Sequence, residues 1–206
     1  MDSLPAARLR DSFLVQQRIT AWARERVARG GAPLTIRIVK GANMEMERID
    51  AALHDWPQAP YRTKLETDAN YKRMLHYGMQ SQNLDAVRIG IASHNLFDVA
   101  YGLTLAAAMG AGERVQFEML EGMANHQRRA LLERTQQLLL YAPACRKEEF
   151  LNAIGYLIRR LDENTGPENF LGHAFRLQVG SADWQVLERG FRTAFTTQIS
   201  NEPRRT

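Results

Sequence analysis

Four polar side chains share one edge of a helix that is predicted within residues 150–170. The segment reads FLNAIGYLIRRLDENTGPENF, and its apolar residues recur at helical spacing, which predicts one buried face. At about 100° per residue, Tyr156, Arg159, Arg160 and Glu163 fall within an arc of about 100° beside that face. Two guanidiniums can bind a carboxylate, and a glutamate one turn later can face an amine. This edge is therefore a candidate receptor for a small zwitterion; the alternative is a solvated helix edge with intrahelical ion pairs.

The remaining segments of the chain, which must position this helix edge, alternate between predicted strands and predicted helices. Apolar, β-rich runs predict strands over 34–39, 86–92, 115–120 and 137–142. Helical periodicity predicts further helices over 13–29, 44–54, 68–77, 96–109 and 125–136, and one from about 180. Residues 1–10 are expected to form a loose lead-in, and residues 61–68 a polar loop. On the first helix, Leu14 and Trp22 are expected to lie on the apolar face. Strands alternating with helices predict a parallel α/β fold, and without a Gly-rich nucleotide fingerprint a barrel is favoured over a dinucleotide-binding sheet.

Two cations belong to the first predicted strand and its end. Arg37 interrupts an apolar run, which costs several kcal/mol unless the charge is paired or meets a polar ligand. Lys40 follows at the carboxyl end of the strand, where parallel α/β folds place their chemistry. Together the two predict an anionic or electron-rich ligand; a strand-face arginine without a ligand is the alternative.

Other strand ends carry polar or aromatic residues. His94 and Asn95 fit either a hydrogen-bonded core pair or a ligand-contacting pair, and Tyr141 fits either packing or the wall of a small-ring site. Glu118 and Glu121 receive no acid–base role, because residues three apart at a strand end need not share a face. The five histidines show no paired ligand spacing, so no metal site is predicted.

Composition bounds the class of protein. A chain of 206 residues can bury the core of one domain, and its formal charge of +4 is mild and scattered, so nucleic-acid binding is not predicted. No apolar run approaches the roughly 20 residues of a membrane span, and no signal peptide is recognised. The single cysteine, Cys145, excludes an internal disulfide framework. A cytoplasmic protein is expected.

Five motifs follow one another in a recognisable order: RIVKGA at 37–42, SHN at 93–95, EMLEGM at 118–123, YAP at 141–143 and LIRRLDEN at 157–164. From about residue 11 to 175, the chain resembles the proline dehydrogenase domain of bacterial bifunctional proline-utilisation enzymes. The resemblance implies a flavoprotein on a distorted (β/α)8 barrel that oxidises L-proline to Δ1-pyrroline-5-carboxylate. It implies FAD as the hydride acceptor, quinone as the next electron acceptor, and a cytoplasmic enzyme that can also lie peripherally at the inner membrane face.

The resemblance also implies the roles of individual residues. At the substrate, Arg159 and Arg160 would clamp the carboxylate, Glu163 would lie near the amine, and Tyr141 and Leu120 would pack against the ring. Arg37 would approach the reactive nitrogen of the flavin and is the one residue given a catalytic role. The remaining residues implied to bind the cofactor are Lys40, Gly41, Ala42, Thr63, Lys64, His94 and Asn95.

The chain departs from the family pattern in two places. Asn43-Met44 stands where many members have an aromatic pair, and four earlier strand–helix units of the barrel have no counterpart before Asp11. The expected division is therefore a lead-in at 1–12, the C-terminal half of a (β/α)8 barrel at 13–175, and a helix with linker at 176–206. A half barrel would need self-association or the missing half from another chain. The alternatives are an inactive fragment or assembly module, and a small-molecule binder that has lost its flavin site.

Overall fold

The computed structural model describes residues 6–41, 44–135, 137–164, 169–174 and 176–200, with the backbone alone at 44–46 and 159–164. Its strands are β1 (Leu34–Val39), β2 (Val87–Ala92), β3 (Val115–Leu120) and β4 (Leu138–Tyr141). Its helices are α1 (Ser12–Ala28), α2 (Met44–Leu53), α3 (Lys64–Gly78), α4 (Ser81–Leu84), α5 (Leu96–Ala108), α6 (Asn125–Thr135), α7 (Phe150–Asn164), α8 (Phe170–Ala174) and α9 (Ala182–Thr193). Strands thus alternate with helices as predicted.

The four strands form one parallel sheet in the order β1-β2-β3-β4. Since successive side chains point to opposite faces, Ile36, Ile38, Ile89 and Ile91 face the helices and are almost fully buried. The opposite face carries Arg37 in register with Gly90. Farther along the strands it carries Glu118 beside Ala92, and Leu120 in register with Tyr141. One face of the sheet therefore builds the core, and the other presents polar groups.

Helix α3 supplies the main packing partner of the sheet. Its Tyr71, Met74 and Leu75 have no exposed surface and belong to the same core cluster as the strand isoleucines. Burying a large apolar side chain stabilises the fold by about 1.5–3 kcal/mol. The N-terminal end of α3 lies at the carboxyl end of β1, where Asp68 is 2.6 Å from Lys40.

The start of α3 differs from the prediction. The helix begins at Lys64 rather than near Asp68, because Thr63 caps it: Thr63 Oγ1 accepts a hydrogen bond from the Glu66 N–H at 3.2 Å. The Glu66 carboxylate accepts one in return from the Thr63 N–H at 2.9 Å. Because of this reciprocal capping box, residues from Lys64 onward, which were predicted to be loop, form the first turn of α3. Lys64 and Asp68 therefore lie on the same face of the helix.

The buried face of α1 also differs from the prediction. Leu14 and Trp22 are 46% and 50% exposed, whereas Gln16 and Thr20 are buried. Gln16 Nε2 donates to the Met74 carbonyl at 3.0 Å, so α1 meets α3 partly through hydrogen bonds. A polar contact of this kind leaves no periodic apolar signal in the sequence.

Helix α9 packs against α5 through aromatic side chains. The Phe97 ring lies 4.8 Å from the Trp184 ring and 5.7 Å from the Phe191 ring, measured between centroids. Tyr101 contacts the Phe195 ring at 5.3 Å. Among the described helices, none combines the length and the apolar character needed to cross a bilayer.

Candidate active site

Lys40, at the end of β1, lies between two aspartates. Its Nζ is 2.6 Å from Asp68 Oδ1 in α3 and 2.5 Å from Asp98 Oδ2 in the first turn of α5. Burial alone would lower the pKa of Lys40, but the two carboxylates outweigh it and raise the pKa above its ordinary value. Lys40 is therefore a permanent cation where β1 meets two helix starts.

Asp68 also binds Lys64. Lys64 Nζ lies 2.5 Å from Asp68 Oδ2, one helical turn away. Burial would raise the pKa of Asp68, but Lys40 and Lys64 more than offset this and lower the pKa from 3.8 to about 2. The carboxylate thus joins two of the residues that were predicted to bind the cofactor.

A third lysine lies behind this pair. Lys72 is 4% exposed; its Nζ is 3.9 Å from Asp98 Oδ1 and 4.5 Å from the centre of the Phe191 ring in α9. Burial lowers the pKa of Lys72 from 10.5 to about 8. The three lysines and two aspartates form a charge cluster, here called the Lys40 cluster: Lys40, Lys64, Asp68, Lys72 and Asp98.

Sequence reasoning gave Lys40 and Lys64 a role but missed the other three members of the Lys40 cluster, Asp68, Lys72 and Asp98. Lys64, Asp68 and Lys72 recur every four residues, which is a helix-face signal, but the predicted helix began only at Asp68. Asp98 left no local signal, because its partner Lys40 belongs to a different strand–helix unit.

Arg37 lies on the polar face of the sheet and is paired. Its Nε is 2.6 Å from Glu118 Oε2, and its guanidinium carbon is 5.2 Å from the centre of the Tyr141 ring. Glu118 is 4% exposed and also accepts a hydrogen bond from Gln116 Nε2 at 3.1 Å. The structure therefore brings the proposed flavin-contacting arginine next to the proposed wall of the substrate site.

His94 presents a buried donor near the end of β3. Its Nε2 accepts a hydrogen bond from the Leu120 N–H at 3.0 Å, so the proton of the neutral ring is on Nδ1. Burial lowers the pKa of His94, which favours this neutral form. Within the described part of the chain, the buried Nδ1 has no hydrogen-bond partner. Its neighbour Asn95 instead caps α5, with Oδ1 accepting the Phe97 N–H at 2.9 Å.

Gly41 follows Lys40 with φ of +96°, a conformation that favours glycine. A Cβ there would collide with the Arg8 guanidinium. Arg8 is 2% exposed, binds Glu47 at 2.5 Å, and lies in a segment whose Ala7 and Arg8 N–H groups donate to the Val39 and Lys40 carbonyls. Residues 6–10, expected to be a loose lead-in, thus lie against the end of β1 and add a cation that sequence reasoning missed.

Helix α7 approaches the end of β4. The Tyr156 ring lies 6.4 Å from the Tyr141 ring, and Tyr141, which is paired in register with Leu120, is 36% exposed. The backbone at Arg159 and Arg160 continues the helix that carries Tyr156. The side chains of Arg159, Arg160 and Glu163, and the whole of Ala42, lie outside the described residues. Elsewhere, no group of three or more His, Cys, Asp or Glu among the described residues could hold a metal ion.

Solved structures resemble this chain over most of its length. Proline utilization A (PutA) from Corynebacterium freiburgense is 38% identical, with a TM-score of 0.81 over 98% of this chain and 19% of its own. PutA from Bdellovibrio bacteriovorus, inactivated by N-propargylglycine, is 30% identical, with a TM-score of 0.78 over 95% of this chain and 19% of its own. The chain therefore spans about a fifth of the length of these proteins. No curated protein sequence matches it.

The predicted fold class is confirmed by this superposition, since the four parallel strand–helix units match the proline dehydrogenase barrel domain of the PutA proteins. The sequence model of the family described as proline dehydrogenase matches residues 7–173. That match covers all four strands and every residue to which the resemblance gave a role. The chain belongs to the proline dehydrogenase family.

Proposed function

We propose that this chain takes part in the FAD-dependent oxidation of L-proline to Δ1-pyrroline-5-carboxylate. The carrying observation is the sequence of contacts from Arg37 through Tyr141 to Tyr156. These contacts support the proposal because Arg37, which is proposed to face the flavin, is one aromatic ring away from Tyr156 on the helix of the proposed carboxylate clamp. A proline ring between Tyr141 and the flavin would then lie within reach of both the flavin and the carboxylate clamp.

The described residues fit an anionic cofactor such as FAD. Lys40 and Lys64 are cations at the carboxyl end of β1, which suits the phosphates, and Lys40 stays charged because Asp68 and Asp98 raise its pKa. The unpartnered His94 Nδ1–H is a buried donor that an acceptor atom of the cofactor would satisfy. Thr63 and Asn95 would act as helix caps that fix the flanking helices.

FAD, when bound, would supply the acceptor for the hydride that leaves the proline ring carbon next to nitrogen. The protein would contribute position and charge. Arg159 and Arg160 would hold the substrate carboxylate, Glu163 would face the amine, and Tyr141 and Leu120 would pack against the ring. Arg37, fixed by Glu118, would present its cation to the flavin.

We further propose that this chain is a partial domain. Residues 13–175 would form the C-terminal half of a (β/α)8 barrel, residues 1–12 its lead-in, and 176–206 a helix and linker. Its partner would be the N-terminal half of the barrel or a second copy of this chain. Quinone would be the electron acceptor. The protein would be cytoplasmic and would lie at the inner membrane face during electron transfer. An inactive half barrel that serves assembly is the second candidate, favoured by the exposure of Leu139 at 48% on the sheet face opposite the core.

Substitution of the clamp tests the proposed substrate. In an assembly that oxidises L-proline, Arg159→Met and Arg160→Met should each raise the KM for proline at least about tenfold, because each removes a charge-assisted contact to the carboxylate. Arg146→Met, at an exposed arginine before α7, is the matched control and should leave KM unchanged. An unchanged KM in both clamp variants would contradict the assignment.

A further inference from the structure

Glu118 and Arg37 form their ion pair across an intervening strand. Glu118 belongs to β3 and Arg37 to β1, and β2 lies between them. Neighbouring strands are about 4.8 Å apart, so the two side chains must span about 10 Å of sheet. Their atoms nevertheless meet at 2.6 Å, which requires both side chains to lie along the sheet surface.

Gly90 is what permits this arrangement. It is in register with Arg37 on one side and with Gln116 on the other, so it occupies the surface that the ion pair crosses. A Cβ built on Gly90 would collide with Glu118 Oε1. Gly90 does not have a positive φ, so its backbone conformation does not by itself demand glycine. The need for glycine comes from the Glu118 carboxylate.

The same carboxylate also has a partner on its own strand. Gln116 Nε2 donates to Glu118 Oε1 at 3.1 Å, while Glu118 Oε2 takes the contact with Arg37 Nε. Tyr141 lies against the Arg37 guanidinium at 5.2 Å. A guanidinium has five N–H donors. One oxygen of the Glu118 carboxylate contacts Arg37 at Nε and the other accepts from Gln116, so this carboxylate leaves donors of Arg37 for a ligand.

We propose that Glu118 and Gly90 are positioning residues for Arg37. Glu118, Gln116 and Gly90 form a brace, here called the Arg37 brace, that sets the orientation of the guanidinium toward both the flavin and Tyr141. The proposal rests on the proposed function of Arg37 at the flavin. A purely structural ion pair would stabilise the sheet equally well but would not affect the cofactor, and this difference is what the experiment measures.

The first measurement needs no cofactor. In a 1H–15N spectrum of the protein, the Arg37 Nε–H signal, assigned with Arg37→Lys, should be resolved because Arg37 Nε is buried beside the Glu118 carboxylate and therefore exchanges slowly with water. Glu118→Gln and Gly90→Ala should each abolish or broaden it. Glu121→Gln, which breaks the exposed Arg128–Glu121 pair of 3.1 Å, and Gly112→Ala, which points into open space, are matched controls that should retain it. An unchanged Arg37 signal in both brace variants would overturn the brace.

The second measurement tests the positioning role. The dissociation constant for FAD, from quenching of flavin fluorescence, should rise about tenfold in Glu118→Gln and in Gly90→Ala, since a misplaced Arg37 loses a charge-assisted contact. It should stay within about twofold in the two controls. Loss of the Arg37 signal with unchanged FAD affinity would reduce the brace to a structural pair and overturn the proposal. Failure of the unaltered protein to bind FAD, alone or together with the N-terminal half of the barrel, would contradict the proposed function and the positioning role with it, while the Arg37 signal would still report whether the brace exists.

Discussion

Replacing Asp68 by asparagine tests the charge cluster beside Lys40. The substitution keeps the shape of a side chain that is 7% exposed and removes the charge that Lys40 and Lys64 share at 2.6 and 2.5 Å. The pKa of Asp68 falls from 3.8 to about 2 in the folded protein, a difference worth about 2 kcal/mol of folding free energy at about 1.4 kcal/mol per pH unit. We therefore expect Asp68→Asn to lower the free energy of unfolding at pH 7 by at least about 2 kcal/mol.

The pH dependence identifies the source of this loss. Because the folded pKa is depressed, the stabilisation is fully present above pH 3.8 and is lost as the pH falls through about 2. Urea unfolding followed by circular dichroism between pH 7 and pH 3 should show the gap between the unaltered protein and Asp68→Asn shrinking by about half at pH 3. Asp50→Asn, at a side chain that is 69% exposed, is the control and should show a small gap at every pH. A gap for Asp68→Asn that is the same at pH 7 and pH 3 would refute the reasoning, because at pH 3 the carboxylate of the unfolded chain is largely protonated while that of the folded protein is still largely ionised.

Three further substitutions test neighbouring features. Burial lowers the pKa of Lys72 from 10.5 to about 8, so the folded protein gains stability as the pH rises between these values. The free energy of unfolding of the unaltered protein, relative to that of Lys72→Met, should therefore rise by about 3 kcal/mol between pH 7 and pH 11. A difference between the two proteins that does not change with pH would contradict the burial of the Lys72 charge. Thr63→Ala removes the cap of α3 and should cost about 1 kcal/mol in urea unfolding, while Thr104→Ala, at an exposed hydroxyl within α5, should cost less. His94→Phe keeps a ring but removes the Nδ1 donor, so the FAD dissociation constant should rise about tenfold; an equal constant would contradict its proposed contact.

The strands and most helices could be predicted because their signals are local. Leu34–Val39 and Val115–Leu120 are short apolar runs with β-branched or aromatic residues, and they became β1 and β3 with the predicted bounds. The start of α3 was misplaced because the reciprocal bonds of Thr63 and Glu66 turn a polar segment, which reads as a loop, into a helical turn.

The electrostatic partners of the site could not be predicted, because they depend on register between distant elements. Arg37 was recognised as a charge that needs a partner, but only the pairing of β1, β2 and β3 brings Glu118 to it across Gly90. The same reasoning explains Asp98, which reaches Lys40 from another strand–helix unit.

The visible absorbance of the protein after incubation with FAD and desalting, followed by anaerobic addition of L-proline, tests the central claim most directly. The account predicts retained flavin whose absorbance bleaches with L-proline and does not change with glycine, which lacks the ring. Bound flavin that L-proline leaves oxidised would contradict the proposed reaction. Colourless protein would contradict FAD binding by this chain alone or as two copies, and would leave only an assembly with the N-terminal half of the barrel.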